Sequence, residues 1–320
     1  MKKILFVATG GTIACGQTAE GLSPELSSEQ LLSYIPSVRE WCEVDTVQPF
    51  SLDSTNMTPR EWVAVAQLIQ RSYDSYDGFV VAHGTDTMGY GAAALSCLIQ
   101  NSRKPVVITG SQKPIDFPET DAVCNLTEAF RYATDDRAWG VNVEFCGRVI
   151  DGRCAVKVQT RRYDAFRSIN APERAIVSGD CVEIHHEEYS GEPRFYDRLD
   201  GRVAVVKLTP AMPAEMLDVQ GVRALIIEGF GTGGLPDYGD GEYVRVVESV
   251  LERGVQVIMA TQVLSGGSLV SLYSVGAAAQ RFGLHETGMM TTEYAVMKAM
   301  WALAYSEDKE SFGRLFNEPV

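Results

Sequence analysis

Short apolar runs rich in Val and Ile recur along the chain, separated by longer stretches in which apolar residues return at helical spacing. Ile4 to Ala8, Phe79 to Ala82 and Val106 to Thr109 are three such runs in the first half. Their alternation with amphipathic segments predicts α/β architecture around a mostly parallel sheet. One helix start is explicit: Thr58-Pro59-Arg60-Glu61 supplies an N-cap hydroxyl, a proline at the first helical position and a carboxylate three residues after the cap. From Glu183 to Arg202 the pattern lapses into a polar stretch, His185-His186-Glu187-Glu188-Tyr189-Ser190-Gly191-Glu192-Pro193. Alternation then resumes, with Val203 to Leu208, Ala224 to Ile227 and Val255 to Thr261 as strands and a closing helix from about Thr292 to Ala304.

The expected organisation is an N-terminal α/β domain over residues 1–184, a linker over 185–202 and a smaller C-terminal α/β domain over 203–320. A chain of 320 residues exceeds what one hydrophobic core usually supports, which agrees with two domains. The opening Met1-Lys2-Lys3 is followed by only about five apolar residues, short of the ~7 to 15 of a signal peptide. It reads as a first strand, and the expected location is the cytoplasm. No run approaches the ~18 apolar residues of a membrane helix. The net charge of −14 opposes a phosphate backbone, so neither a nucleic acid nor a membrane is expected as partner. Seven cysteines (Cys15, Cys42, Cys97, Cys124, Cys146, Cys154 and Cys181) include no C-x-x-C pair, which suggests neither a disulfide framework nor a zinc cluster.

In open parallel sheets, ligands bind beyond the carboxyl ends of the strands, which directs attention to the segments just after them. Thr9-Gly10-Gly11-Thr12-Ile13-Ala14 follows the first run. Its paired glycines allow a sharp turn and close backbone approach, and it matches neither phosphate-loop nor dinucleotide patterns. A tight turn with incidental threonines is the lesser alternative while it stands alone. His83-Gly84-Thr85-Asp86-Thr87 follows the next strand and sets a hydroxyl beside a carboxylate. A threonine hydroxyl is a poor nucleophile without a base to take its proton, a task a lysine of lowered pKa can perform. His83 could serve as that base, but a histidine ending an apolar strand is more often a hydrogen-bonded structural residue. Asp53-Ser54-Thr55-Asn56-Met57 before the capped helix could hold a carboxylate, and Thr109-Gly110-Ser111-Gln112-Lys113-Pro114 could line the same crevice. His185-His186 lies in the polar stretch and is read as solvated, so no metal is assigned.

Together these segments resemble the bacterial-type L-asparaginase family over almost the whole chain. The paired motifs T-G-G-T-I-A and H-G-T-D-T carry the resemblance, and Asp151-Gly152-Arg153-Cys154-Ala155-Val156-Lys157 resembles the family segment with the active-site lysine. The resemblance implies the asparaginase/glutaminase-like two-domain fold and an L-asparagine amidohydrolase that needs no cofactor, with room for a minor glutaminase activity. Thr12 would be the nucleophile, forming a β-aspartyl ester, and Thr85, Asp86 and Lys157 would form a second triad. Backbone N–H groups of Gly11 and Thr85 are the expected oxyanion donors, typically about 3 kcal/mol each. Ser54 and Thr55 would hold the substrate α-carboxylate, and the Ser111 carbonyl would face the leaving amide. The run from Asp53 to Pro59 resembles the cytoplasmic type I branch more than the periplasmic one, and type I members are homodimers or homotetramers. Where well-known members place a lid tyrosine over the nucleophile, this chain has Gly21-Leu22. Where some type I members place an arginine and a cysteine of an allosteric asparagine site, it has Glu228 and Val263, which predicts no such allostery. Gly229 to Gly234 and Thr261 to Gly266 match segments that complete sites or subunit interfaces, with Gly234 where relatives often carry asparagine. Two alternatives share part of the pattern. An archaeal ammonia-releasing amidotransferase subunit has the same threonine motifs but an extra N-terminal domain, whereas Thr9 here follows only eight residues. A catalytically weak amino-acid-binding protein would need neither nucleophile nor base.

Overall fold

A computed structural model describes residues 1–18, 21–187, 191–236, 238, 240–270 and 284–319, with backbone alone at 17–18 and 21–24. Two compact units emerge, Met1–Asp197 and Arg198–Pro319. The first is built on an eight-stranded sheet in the order Cys181–Ile184, Ala175–Ser178, Arg148–Asp151, Gly140–Phe145, Pro105–Thr109, Gly78–Ala82, Lys2–Ala8, Cys42–Val47. The five strands from Gly140–Phe145 to Cys42–Val47 are parallel, and the remaining three extend the sheet in antiparallel fashion.

The central strands are buried on both faces, which explains their unbroken apolar runs: Phe79, Val80, Val106, Val107 and Ile108 have no exposed surface. Helix Ala122–Ala133 seats Leu126, Ala129 and Phe130 on one face, where the Phe130 ring lies 5.7 Å from that of Phe6. On helix Pro59–Ser72 the expected cap is present, with the Glu61 carboxylate accepting the Thr58 N–H at 2.9 Å and the Thr58 hydroxyl accepting the Arg60 N–H at 3.3 Å. This helix packs against Met88–Leu98, which is buried almost all round and carries small residues throughout its middle.

The chain leaves Lys2–Ala8 for the edge strand Cys42–Val47 and returns on the other side as Gly78–Ala82. Strand order therefore reverses between Lys2–Ala8 and Gly78–Ala82, where an open sheet parts to admit a ligand. The stretch expected as linker carries a short strand, Arg194–Phe195, paired with Ile99–Gln100 of the first unit; two residues are too few to register as periodicity. Of that stretch, residues 188–190 lie outside the described residues.

The second unit holds a parallel sheet of Val203–Lys207, Ala224–Gly229, Gln256–Thr261 and His285–Glu286 with helices Glu242–Glu252, Thr292–Tyr305 and Lys309–Asn317. Leu225, Ile227, Val257 and Met259 meet Tyr243, Val247 and Val250 in its core. Among the described residues no helix is long and apolar enough to cross a membrane. No disulfide joins any of the seven cysteines.

Candidate active site at the strand-order reversal

The two threonine motifs leave adjacent strands at the reversal point and touch through their glycines. Thr9 donates its N–H to Ala82 O at 3.0 Å and its hydroxyl to the same oxygen at 2.9 Å, fixing the exit of one strand on the end of the next. Gly11, with φ of 78°, then brings its backbone so near Gly84 that a Cβ on Gly11 would stand 2.3 Å from the Gly84 Cα. A Cβ on Gly84 would in turn lie 2.6 Å from both Cβ and Oγ of Ser54. Gly110 closes the group from the third strand, since a Cβ there would lie 2.3 Å from His83 O. Four segments separate in sequence are thereby pressed together at places only glycine can occupy.

Thr12, directly after Gly11, opens a short 3₁₀ turn, Thr12–Ala14, and is half-buried. Thr85, directly after Gly84, is 4% exposed. Lys157, at the end of the short strand Ala155–Lys157, donates from Nζ to Thr85 Oγ1 at 2.8 Å and to Asp86 Oδ1 at 2.6 Å. Asp86 is open to solvent and Lys157 largely covered, so the pair sits at a mouth rather than in the core. A hydroxyl, an amine and a carboxylate thus form one connected group on the turn against which the Thr12 turn lies, an arrangement able to relay protons to or from a bound molecule.

The remaining expected residues have different circumstances. Ser54 is buried beside Gly84, and its carbonyl accepts the Thr87 hydroxyl at 2.8 Å. Thr55 is exposed and gives its hydroxyl proton to Asp53 Oδ1 at 2.8 Å. Ser111 is buried, its hydroxyl spent on Lys113 O. The Gly11 N–H, expected as an oxyanion donor, is bonded to Leu52 O at 2.8 Å. That expectation is revised: what Gly11 contributes is the close approach to Gly84. The tip residues 19 and 20 and the side chain of Leu22 lie outside the described residues, although Leu22 pairs with Gln17 in the hairpin that follows the Thr12 turn.

His83 is a structural residue. Its Nε2 accepts the Trp62 indole N–H at 3.2 Å, which leaves Nδ1 to donate to Gly84 O at 2.7 Å. Complete burial holds its pKa down to about 4, so the ring stays neutral near pH 7. Gln112 is a residue that pattern reading passes over. Its Oε1 accepts the Thr85 hydroxyl at 3.3 Å and its Nε2 donates to Arg162 O at 3.1 Å. The buried Asp121 carboxylate accepts the Gln112 N–H at 2.8 Å, and Asn125 donates to Gly110 O at 2.9 Å, so the start of helix Ala122–Ala133 holds this loop in place. Nothing in the spacing marks Gln112, because its partners lie 27 and 50 residues away. Among the described residues no three His, Cys, Asp or Glu side chains converge closely enough to hold a metal ion.

Residues 3–190 match the family model described as Asparaginase, N-terminal, and residues 202–316 match that of the Glutaminase/Asparaginase C-terminal domain. An L-asparaginase of Thermococcus kodakarensis is 36% identical over 99% of this chain and 98% of its own length. The solved thermostable L-asparaginase from Thermococcus kodakarensis superposes with a TM-score of 0.93, covering 99% of this chain and 97% of that one at 36% identity. L-asparaginase I from Vibrio cholerae gives 0.88 at 30% identity, covering 100% and 98% of the two chains. A Glutamyl-tRNA(Gln) amidotransferase subunit of Pyrococcus furiosus is 35% identical over 95% of this chain and 73% of its own length.

Proposed function

Since the chain belongs to the asparaginase family, with the two-domain α/β fold of its solved members, we propose that it hydrolyses L-asparagine to L-aspartate and ammonia with Thr12 as nucleophile. The observation that carries this reading is the Lys157 ammonium bonded to both Thr85 and Asp86 on a turn packed against the Thr12 turn. The Thr12 hydroxyl adds to the side-chain amide carbon and its proton passes to the leaving nitrogen, which departs as ammonia. A β-aspartyl ester remains on Thr12. Water then adds to that ester, Thr12 recovers its proton, and aspartate leaves. Lys157 gives its ammonium proton to the departing ammonia, which leaves as ammonium, and the freed amine then receives one water proton by way of Thr85, while Asp86 orients the amine and faces the substrate ammonium. The Thr85 N–H faces the developing oxyanion, Ser54 and Thr55 hold the α-carboxylate, and the Ser111 carbonyl faces the leaving amide. Gly11 shapes the floor beneath the substrate. We further propose a cytoplasmic homodimer or homotetramer.

A second reading, release of ammonia from glutamine for an amidotransferase, is favoured by the likeness to the Pyrococcus furiosus amidotransferase protein. Ammonia release from L-asparagine, L-glutamine and D-asparagine by wild type and Thr12→Ala separates the possibilities. Asparaginase chemistry predicts hydrolysis of L-asparagine that Thr12→Ala reduces by at least about a thousandfold, as loss of a nucleophile does. Wild-type rates in Thr12→Ala would refute the nucleophile assignment. Glutamine turnover well above asparagine turnover would favour the second reading. Tight L-aspartate binding without hydrolysis of any amide would identify a binding protein.

A further inference from the structure

Past Lys157 the chain turns through residues 158–165 before pairing back as Phe166–Ser168. The turn is closed at its base by the Val158 N–H on Ala165 O at 2.8 Å. Asp164 braces it from within, its carboxylate accepting Arg162 Nε at 2.9 Å and Arg167 Nη2 at 2.8 Å. The tip then crosses to the neighbouring loop. Tyr163 donates its hydroxyl to Glu119 O, and the Lys113 ammonium stands 5.5 Å from the centre of the Tyr163 ring. One residue earlier, Arg162 O accepts the Gln112 Nε2–H at 3.1 Å. Tyr163 is half-buried, whereas Arg161 and Arg162 are exposed.

A carbonyl oxygen only accepts, so Arg162 O fixes which end of the Gln112 amide faces which neighbour. The nitrogen turns to Arg162, and the oxygen is left for Thr85, whose hydroxyl it accepts at 3.3 Å. A hydroxyl has one proton and two lone pairs. Thr85 gives its proton to Gln112 and one lone pair to the Lys157 ammonium at 2.8 Å, so its second lone pair remains to accept a proton from water. Reversing the amide would put a second N–H donor on Thr85, fill that lone pair and turn the hydroxyl from acceptor to donor. The direction of one amide thus depends on a backbone carbonyl in an exposed turn, and one residue on, the Tyr163 hydroxyl ties that turn to its neighbour.

We propose that Tyr163 is a positioning residue for the amide hydrolysis: clasped to Glu119 and Lys113, it holds the Arg162 carbonyl where Gln112 keeps its oxygen toward Thr85. The assignment rests on the reading of Thr85 and Lys157 as the proton relay. Tyr163→Phe removes one oxygen and keeps the ring beside Lys113. Ammonia release from L-asparagine, or from L-glutamine should that be turned over faster, is measured for wild type, Tyr163→Phe, Gln112→Leu and the double variant. Tyr163→Phe should lower kcat about fivefold with KM nearly unchanged. In the Gln112→Leu background it should change kcat by less than about 1.5-fold, since no amide remains to be turned. Limited trypsin digestion, read by mass spectrometry of fragments ending at Arg161 or Arg162, tests the clasp without any assay of activity. Cleavage there should run at least about threefold faster in Tyr163→Phe. A wild-type kcat in Tyr163→Phe, an undiminished loss on top of Gln112→Leu, or unchanged cleavage would each overturn the proposal. A wild type that hydrolyses no amide would instead refute the proposed function, with faster cleavage in Tyr163→Phe still upholding the clasp.

Discussion

At the scale of single residues, the site depends on which partner each hydroxyl and amide proton has. With Lys157 donating to Thr85 Oγ1, the Thr85 proton is free to point at Gln112 Oε1, so Gln112 sets the orientation of that hydroxyl between turnovers. Gln112→Leu removes this acceptor and the tether to Arg162 without touching the backbone bonds to Asp121. The expected result is a kcat about tenfold lower with KM nearly unchanged, the pattern of a lost transition-state alignment. Gln112→Glu, which keeps an acceptor, should recover part of the rate; steady-state kinetics of the two variants check both. The same scale shows where sequence reading ends. The motifs around Thr12 and Thr85 stand in plain view because their glycines are bunched after apolar strands. That Leu52 takes the Gly11 N–H and that Gln112 reaches Thr85 are tertiary facts, invisible until the loops are placed.

At the scale of elements, the glycine contacts hold the strand exits in register. Gly84→Ala drives a methyl group into Ser54, and the same methyl would lie 3.1 Å from Gly11 Cα, so backbone crowds it as well. Overpacking of this kind costs about 1–3 kcal/mol, and the displacement of Thr85 that relieves it should lower kcat/KM by about a hundredfold. Thermal unfolding and ammonia-release assays measure the two effects separately. Thr58→Ala acts differently, removing an N-cap worth about 1 kcal/mol and lowering Tm by roughly 2–4 °C, with KM rising because the Asp53–Met57 turn leads directly into that cap. The elements themselves were unevenly legible. Gly78–Ala82 and Pro105–Thr109 are apolar without interruption and declare themselves. Cys42–Val47 alternates buried and exposed positions at a sheet edge, and Gly140–Phe145 buries Asn142 and Glu144 among its apolar residues. Polar side chains in a core strand break the pattern that identifies strands, and the contacts that hold them appear only in the fold: Asn142 donates to Trp139 O at 2.9 Å, and Glu144 accepts the Gly147 N–H at 3.1 Å and the Thr109 hydroxyl, 35 residues away, at 3.3 Å.

At the scale of the molecule, buried carboxyls and acidic charge make stability and regulation depend on solution conditions. Glu144 has no exposed surface and lies beside Glu128; burial, then the neighbouring carboxylate, raises its pKa well above the ordinary value, and burial raises that of Glu128 as well. A carboxyl with a raised folded pKa keeps its proton in the native state after the unfolded chain has lost it. Its stabilisation is therefore full below about pH 4.5 and is lost as pH climbs through the folded value. Glu144→Gln, a permanent mimic of the protonated form, should match wild type near pH 4.5 and exceed it in Tm increasingly toward pH 8, as melting curves across that range would show. Regulation follows from charge in a similar way. Glu228 is the penultimate residue of a core strand of the second unit, its carboxylate accepting the Thr292 hydroxyl at 2.6 Å, and Val263 is 52% exposed. An effector amino acid shifts a conformational equilibrium only by binding one state more tightly, and allosteric couplings of this kind are about 1–3 kcal/mol. An arginine would attract an effector carboxylate, whereas a carboxylate at Glu228 repels it, so this position supplies no differential affinity for an amino acid. Initial rates against L-asparagine should accordingly follow a hyperbola with a Hill coefficient of about 1. A clearly sigmoidal curve, with a Hill coefficient above about 1.5, would overturn the prediction.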